Sequence, residues 1–258
     1  MHDTPSRWFI REVRVPAPAC RVICFPYAGG SAGIYRGWHA GLPSSAELLS
    51  VELPGRGAHF SSPPIASLTQ LTARLADALT PLMGAPVVFF GHSNGALISY
   101  ALAVELRRRG LPSPQRIILS AKRPPHLDNR APVHALPTPQ FVERLRTLNG
   151  TPPEIMSNPD LLDLFLPALR ADFAISETYR HEPCTPLACR AVLVGSENDD
   201  DVSLAQLQEW NRYFVDEPSL HVIEGDHFFV HGARDALMRI LRRHVQDCIA
   251  AASPWRQG

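Results

Sequence analysis

Short apolar runs alternate along the chain with stretches of helical periodicity. The apolar runs cover 21–25, 47–51, 87–90, 116–120, 191–194 and 220–223. Helical patterns near 67–83, 95–109, 203–214 and 232–250 lie between or after them. Runs that are apolar throughout are typical of parallel strands buried on both faces. The pattern therefore predicts an α/β fold with a mostly parallel sheet flanked by helices.

The stretch from about 124 to 186 interrupts this alternation. It shows no convincing core strand, but it has helical periodicity over 138–148 and 159–180, with Pro152, Pro153 and Pro159 between the two segments. We expect this helical insertion to be a lid over the site, the alternative being a structural subdomain without a gating role. We expect the whole chain, 1–258, to be a single domain that contains this insertion.

Composition and charge restrict the class of protein. The chain is 45% apolar and 19% charged, and its formal net charge is zero, so we expect neither nucleic acid nor a membrane as a partner. The start Met1-His2-Asp3 is not an apolar signal segment, and no run approaches the roughly 18 apolar residues of a membrane span. The five cysteines show no C-x-x-C spacing, which favours a reducing compartment. These features predict a cytoplasmic protein.

Residues 91–95 read G-H-S-N-G and match the nucleophile-elbow pattern G-x-S-x-G. A predicted strand precedes them and a predicted helix follows, as the motif requires. The tight turn needs small residues two positions to either side, and the helix dipole then faces the developing oxyanion. Ser93 is therefore the predicted nucleophile. We expect the neighbouring His92 to be a packed, hydrogen-bonded residue and not the base.

A serine nucleophile needs two donors aimed at the oxyanion. The first is the backbone N–H of the residue after the nucleophile, Asn94, and the second normally comes from the loop after the first core strand. That loop contains Gly29 and Gly30, and we choose the amide of Ala28 as its donor. The chain contains neither a phosphate-loop nor a dinucleotide-binding glycine pattern and no H-E-x-x-H or paired-cysteine site, so no metal or cofactor is expected.

The base and its orienting acid follow the nucleophile along the chain in α/β-hydrolases. His227 lies in a loop after the last predicted strand, where the base belongs. The acid belongs after strand 191–194, where Asp199, Asp200 and Asp201 compete and Glu197 is less favoured. Spacing alone does not separate the three aspartates.

With these residues in place, the chain resembles the type II thioesterases, stand-alone α/β-hydrolases that accompany polyketide and non-ribosomal peptide synthases. The resemblance runs over nearly the whole chain and is carried by the strings at 25–32, 53–57, 91–97, 164–173 and 225–229, together with Tyr179. The chain departs from the family at Asn94, where Leu or Met is common, and we expect the polar side chain of Asn94 either to touch the acyl group or to face solvent. Its acid loop is also one residue longer than in relatives. Aligning that loop from Trp210 and His227 selects Asp199 as the acid, with Asp200 next.

The resemblance implies a substrate and a partner. The substrate would be an acyl or aminoacyl thioester on the phosphopantetheine arm of an acyl or peptidyl carrier protein, and the role would be to remove aberrant or stalled groups. Carrier proteins are generally acidic, so a basic docking patch is one hypothesis; it would comprise Arg107, Arg108, Arg109, Lys122, Arg123 and Arg130. The alternatives are a carboxylesterase for small esters and a non-catalytic hydrolase-like binding module.

Overall fold

The computed structural model describes residues 7–127, 131–148, 150–151 and 153–252. The strands in these ranges are β1 (Phe9–Ile10), β2 (Cys20–Phe25), β3 (Ala46–Val51), β4 (Val87–His92), β5 (Arg116–Ser120), β6 (Arg190–Gly195) and β7 (Ser219–Val222). They form one sheet in the order β1-β3-β2-β4-β5-β6-β7. Every neighbouring pair is parallel except β1 and β3. The predicted parallel sheet is confirmed, and each predicted run lies within two residues of a strand from β2 to β7.

The helices of the described ranges surround this sheet. They are α1 (Leu68–Leu79), α2 (Asn94–Arg108), α3 (Thr138–Leu148), α4 (Pro153–Met156), α5 (Pro159–Glu177), α6 (Leu204–Gln208), α7 (Phe229–Gly232) and α8 (Arg234–Ala251). The helix predicted over 203–214 is α-helical only in α6 and continues as a 3-10 turn over Glu209–Tyr213. The polypeptide turns at Ala233, so α7 and α8 are separate helices.

Both faces of the sheet are buried, which explains why its strands are apolar throughout. Ile23 and Phe89 lie in the core that α1 and α2 cover, whereas Val22 and Val88 lie in the core that α8 covers. Because successive side chains of a strand point to opposite faces, a strand between two helical layers needs apolar residues at every position.

The sequence pattern did not predict β1. This strand has two residues and pairs antiparallel with β3 at the edge of the sheet, Phe9 opposite Val51. Two residues are too few to show any periodicity, so tertiary pairing alone defines the strand.

Three helices, α3 to α5, lie between β5 and β6, where the helical insertion is predicted. Leu162, Leu166 and Leu169 of α5 pack against Phe141 and Leu145 of α3 and form a small core of their own. The lid role of this insertion stays a prediction. Within the described ranges, none of the helices combines the length and apolar character that crossing a bilayer requires.

Strand register places the functional loops together. Phe25 pairs with Gly91, His92 with Ser120, and Gly195 with Val222, so the carboxyl ends of the strands lie side by side. The carboxyl edge of a parallel sheet is where α/β proteins place their sites. The loops after β2, β4, β6 and β7, which carry the predicted site residues, therefore meet at one edge.

Candidate active site

Ser93 occupies the turn between β4 and α2 with a positive φ of 51°. Its backbone N–H donates to the carbonyl of Ser120 at 2.8 Å, which anchors the turn to β5. A Cβ on Gly91 would lie 2.2 Å from the carbonyl oxygen of Gly95, and one on Gly95 would lie 2.0 Å from that of Phe25. Both glycines are therefore required sterically, as the elbow motif predicts.

A continuous hydrogen-bonded chain joins three of the predicted residues. His227 Nε2 lies 3.0 Å from Ser93 Oγ, and His227 Nδ1 lies 2.9 Å from Asp199 Oδ2. A carboxylate only accepts hydrogen bonds, so Nδ1 carries the proton and Nε2 is left to accept from the serine hydroxyl. This is the tautomer that a general base requires.

The structure separates the competing acids of the loop after β6. Asp199 has a fully buried side chain, and its Oδ1 also accepts the backbone N–H groups of Asp201 at 2.8 Å and Val202 at 3.0 Å. These bonds hold the carboxylate rigidly against the imidazole. Asp200 is exposed. Of the three aspartates, Asp199 is the one brought to His227.

His92 lies directly behind His227 and supports its loop. Its Nε2 is 2.8 Å from the carbonyl of His227, and its Nδ1 is 2.9 Å from Ser120 Oγ. Burial, with the nearby His227, lowers the pKa of His92 well below its ordinary value, so the ring is neutral. Since a carbonyl only accepts, the Nε2–H of His92 donates to it. His92 is packed and hydrogen-bonded, as expected from the sequence.

The two predicted oxyanion donors lie beside the nucleophile. Ala28 and Asn94 border the same cavity as Ser93. Ala28 belongs to a tight turn in which the N–H of Gly30 donates to the carbonyl of Tyr27 at 2.9 Å. Ala28 lies in the loop after β2, and Asn94 is the first residue of α2, directly after Ser93. Their role as oxyanion donors stays a prediction.

The side chain of Asn94 has a role that the sequence did not predict. We expected it to touch the acyl group or to face solvent; instead it is buried, and its Nδ2 donates to the backbone carbonyl of Asp172 in α5 at 2.9 Å. Its Oδ1 is buried without a hydrogen-bond partner among the described residues. The expectation of a solvent-facing side chain is therefore wrong, because α5 covers this position.

The sequence also did not predict a buried ion pair beside the site. Arg56 donates two hydrogen bonds of 2.7 Å to the two carboxylate oxygens of Asp172. Burial alone would lower the pKa of Arg56, but the carboxylates of Asp172 and Glu52 outweigh it and raise that pKa. Both partners lie in strings that carry the family resemblance, but they are 116 residues apart and nothing local links them.

A cavity of about 810 Å³ opens at the carboxyl edge of the sheet. One wall carries Ser93, Asn94, Ala28 and His227. The insertion lines the cavity with polar residues, among them Arg144 and Glu177, and with apolar side chains, namely Val133, Leu136, Leu145, Leu148, Leu169 and Phe173. The arrangement places Ser93 and His227 beside a partly apolar chamber that has the size of a small-molecule site.

Of the six cationic residues proposed as a docking patch, the five that the structure describes do not form one surface. Lys122 borders the cavity, whereas Arg107 lies near the carboxyl end of α2, about 20 Å along the helix from Asn94. Arg108 and Arg109 are both paired with Glu105. Arg130 lies outside the described residues. The single-patch hypothesis is therefore wrong, because α2 carries the arginines away from the edge where Ser93 lies.

Comparison with known proteins identifies the family. The model of the thioesterase domain matches residues 20–245. The chain is 38% identical over 250 residues to LgrE of Brevibacillus parabrevis, named linear gramicidin dehydrogenase, and the match covers 95% of each. Among solved structures it resembles RedJ, a thioesterase of the prodiginine pathway of Streptomyces coelicolor, with 34% identity, a TM-score of 0.82, and 92% and 97% of the two chains covered.

A second solved structure specifies the class. YbtT, a type II thioesterase of the yersiniabactin pathway, has 31% identity and a TM-score of 0.83, and the match covers 94% of this chain and 99% of YbtT. The predicted fold and the predicted resemblance are both confirmed. Since the domain model spans most of the sequence and these structures share its fold, the chain belongs to the thioesterase family and is an α/β-hydrolase of the type II class.

Proposed function

We propose that Ser93, His227 and Asp199 form the catalytic triad of this thioesterase. The observation that supports it best is the unbroken chain of hydrogen bonds from Asp199 through His227 to Ser93, beside the cavity. His227 Nε2 takes the hydroxyl proton as Ser93 Oγ attacks the thioester carbonyl. Asp199 holds the imidazole in the required tautomer and stabilises the imidazolium that forms.

The backbone N–H groups of Ala28 and Asn94 are proposed to bind the oxyanion of the tetrahedral intermediate. The location of Asn94 at the first turn of α2 adds the positive end of the helix dipole to this donor. As the intermediate collapses, the carbon–sulfur bond breaks and the sulfur leaves as a thiolate, which the imidazolium protonates. Little acid assistance is needed, because a thiol has a pKa of about 8.5. His227 then activates the water that cleaves the acyl-serine ester and releases the free acid.

The proposed substrate is an acyl or aminoacyl thioester on the phosphopantetheine arm of a carrier protein. RedJ and YbtT belong to prodiginine and yersiniabactin biosynthesis, which supports this substrate class by similarity. The apolar side chains that the insertion contributes to the cavity suit an acyl chain. Removal of aberrant or stalled groups, in the cytoplasm, is the role that we propose. Residues of α3 and α5 line the cavity that holds Ser93, so we propose that the insertion of about 124–186 acts as a lid.

The test is an intact-mass assay on carrier proteins loaded with several acyl and aminoacyl groups. Wild-type protein should deacylate them, and Ser93→Ala should not. Ser99→Ala is the matched control, because Ser99 is a buried serine of α2, the helix that follows Ser93, and it does not border the cavity. Persistent deacylation by Ser93→Ala would contradict the assignment of the nucleophile.

Two further measurements address the competing functions. Faster turnover of free small esters than of carrier-bound thioesters would favour a carboxylesterase. Failure of a fluorophosphonate to label Ser93 in the folded protein would favour a binding module without catalysis.

A further inference from the structure

The loop that carries Ala28 is a tight turn with a defined direction. The N–H of Gly30 donates to the carbonyl of Tyr27, and Gly29 has a φ of +82°. The carbonyl of Tyr27 and the N–H of Ala28 belong to the same trans peptide group, so they point in opposite directions. Any contact that holds this turn in place therefore also sets the direction of the Ala28 N–H.

Arg56 and Asp172 hold the other polar groups of the turn. The N–H of Gly29 donates to Asp172 Oδ2 at 2.7 Å, and Arg56 donates to the carbonyl of Gly30 at 2.8 Å. The same two side chains are joined to each other by two bonds of 2.7 Å. The ion pair thus binds two consecutive residues of the turn, Gly29 and Gly30, and connects them to α5.

Burial stabilises these hydrogen bonds of Arg56 and Asp172. Asp172 is 2% exposed and Arg56 is 5% exposed, so water does not compete for the bonds. A buried ion pair gains little net stability compared with apolar side chains of similar volume, whereas its bidentate bonds define directions that apolar contacts leave free. We therefore expect the pair to fix the orientation of the turn while adding little to the free energy of unfolding.

Helix α5 also contacts the second oxyanion donor. Asn94, whose backbone N–H is that donor, binds the carbonyl of Asp172 through its side chain. Packing leaves little space for movement, since a Cβ on Gly29 would lie 2.8 Å from Leu169 of the same helix. Asp172 therefore touches both segments that carry the oxyanion donors.

We infer that Asp172, with Arg56, is a positioning residue that sets the oxyanion hole from α5. The inference rests on the proposed function of Ser93 and Ala28. The inference assigns different tasks to two helices of the insertion. Helix α5 is hydrogen-bonded to the segments that carry Ala28 and Asn94 and is therefore fixed. Helix α3 packs on α5 and is the part that can adjust to the acyl group.

The test is Asp172→Asn, which keeps the size of the side chain and removes its charge. An amide places an N–H against either Arg56 or Gly29, so the turn shifts. Because a displacement of about 1 Å costs on the order of 10²-fold in rate, we expect kcat to fall about 100-fold while KM changes less than about threefold.

A pair of inhibitors separates positioning from general damage. A trifluoromethyl ketone analogue of the acyl group forms a tetrahedral adduct with Ser93 and needs the oxyanion donors, whereas an acyl-pantetheine amide needs only the cavity. In Asp172→Asn the ketone should bind more weakly by about the factor lost in kcat, and the amide should bind as before. Equal weakening of both ligands, or an unchanged kcat, would overturn the inference.

Matched variants complete the test. Glu47→Gln breaks a buried pair with Arg21 in the sheet, away from the cavity, and should lower the melting temperature without changing kcat. If Asp172→Asn does not fold, Arg56→Lys is the second variant. It keeps the charge but lacks the planar fork that binds both carboxylate oxygens of Asp172, so the same loss of ketone affinity is expected. Ser93→Ala, assayed in parallel, reports on the proposed nucleophile separately: its continued activity would refute the triad and not the positioning contact.

Discussion

At the scale of single residues, the surroundings of each carboxylate decide what it can do. Asp199 is buried and accepts hydrogen bonds from three N–H groups, one on His227 and two on the backbone of its own loop. Asp200, the next residue, is exposed. Two adjacent aspartates of identical chemistry therefore have different roles, because only one of them faces the imidazole.

Replacing these two aspartates in turn tests that difference. Asp199→Asn should leave the protein folded and lower kcat about 10⁴-fold, because an amide favours the wrong imidazole tautomer. Asp200→Asn is the matched control and should change kcat less than about threefold. Steady-state hydrolysis of one acyl-loaded carrier protein measures both; a larger loss in Asp200→Asn would assign the acid to Asp200.

The residue after the nucleophile allows a stability prediction. Asn94 leaves a buried oxygen without a hydrogen-bond partner among the described residues, and such an oxygen costs about 1–3 kcal/mol. Asn94→Leu, the residue common in relatives, should therefore raise the melting temperature by about 2–4 °C and retain activity, because the backbone N–H is unchanged. Thermal unfolding measures the shift. A fall in melting temperature would mean that the bond to Asp172 contributes more than the unpaired oxygen costs.

At the scale of elements, the insertion has a small core that is separate from the two main ones. Phe141 of α3 is completely buried in it, and the guanidinium of Arg170 lies 4.3 Å from the centre of its ring. Helix α3 depends on this cluster, whereas α2 and β4 belong to the main cores. Local opening of α3 is therefore possible without unfolding of the sheet.

Truncating that anchor should loosen one helix selectively. Phe141→Ala removes a buried ring, a change that typically costs 3–5 kcal/mol. We expect amide exchange in α3 to accelerate at least about tenfold, while exchange in β4 stays unchanged at low denaturant. Hydrogen-exchange mass spectrometry measures this, with Glu143→Ala on the exposed face of α3 as the control. Uniform acceleration across the sheet would show that the insertion unfolds only with the whole protein.

At the scale of the whole molecule, buried histidines link folding to pH. Burial, together with the nearby Arg116, lowers the pKa of His244 to about 4. The ring also faces His221, Arg243 and Asp247. In the unfolded chain a histidine titrates near 6.5, so between about pH 4 and 6.5 the unfolded state binds the extra proton. The stability that neutral His244 contributes is complete above about pH 6.5 and is lost as the pH falls towards 4.

Removing the titrating ring tests this link. His244→Gln should reduce the fall in melting temperature between pH 7 and pH 4.5 by about 5 °C relative to wild type, even if the variant is less stable at pH 7. Thermal unfolding at several pH values measures the slope. Identical slopes for the two proteins would show that His244 does not control acid stability.

The sequence by itself determined the features that depend on neighbouring residues. Strands buried on both faces need apolar residues at every position, so β2 to β7 were visible as apolar runs. The elbow around Ser93 needs glycine at two sites within five residues, and His227 lies in the loop after the last strand. Each of these signals is local, and the known order of functional loops in parallel sheets connects them.

Only the tertiary structure decided which distant groups meet. It brought Asp199, which the family resemblance had favoured, into contact with His227. It placed the side chain of Asn94 under α5 and joined Arg56 to Asp172 across 116 residues. It also separated Arg107 from Lys122 by the length of a helix. Contacts of this kind depend on how helices pack over the sheet. The periodicity of a sequence predicts individual helices and strands, but it does not predict which of their residues meet.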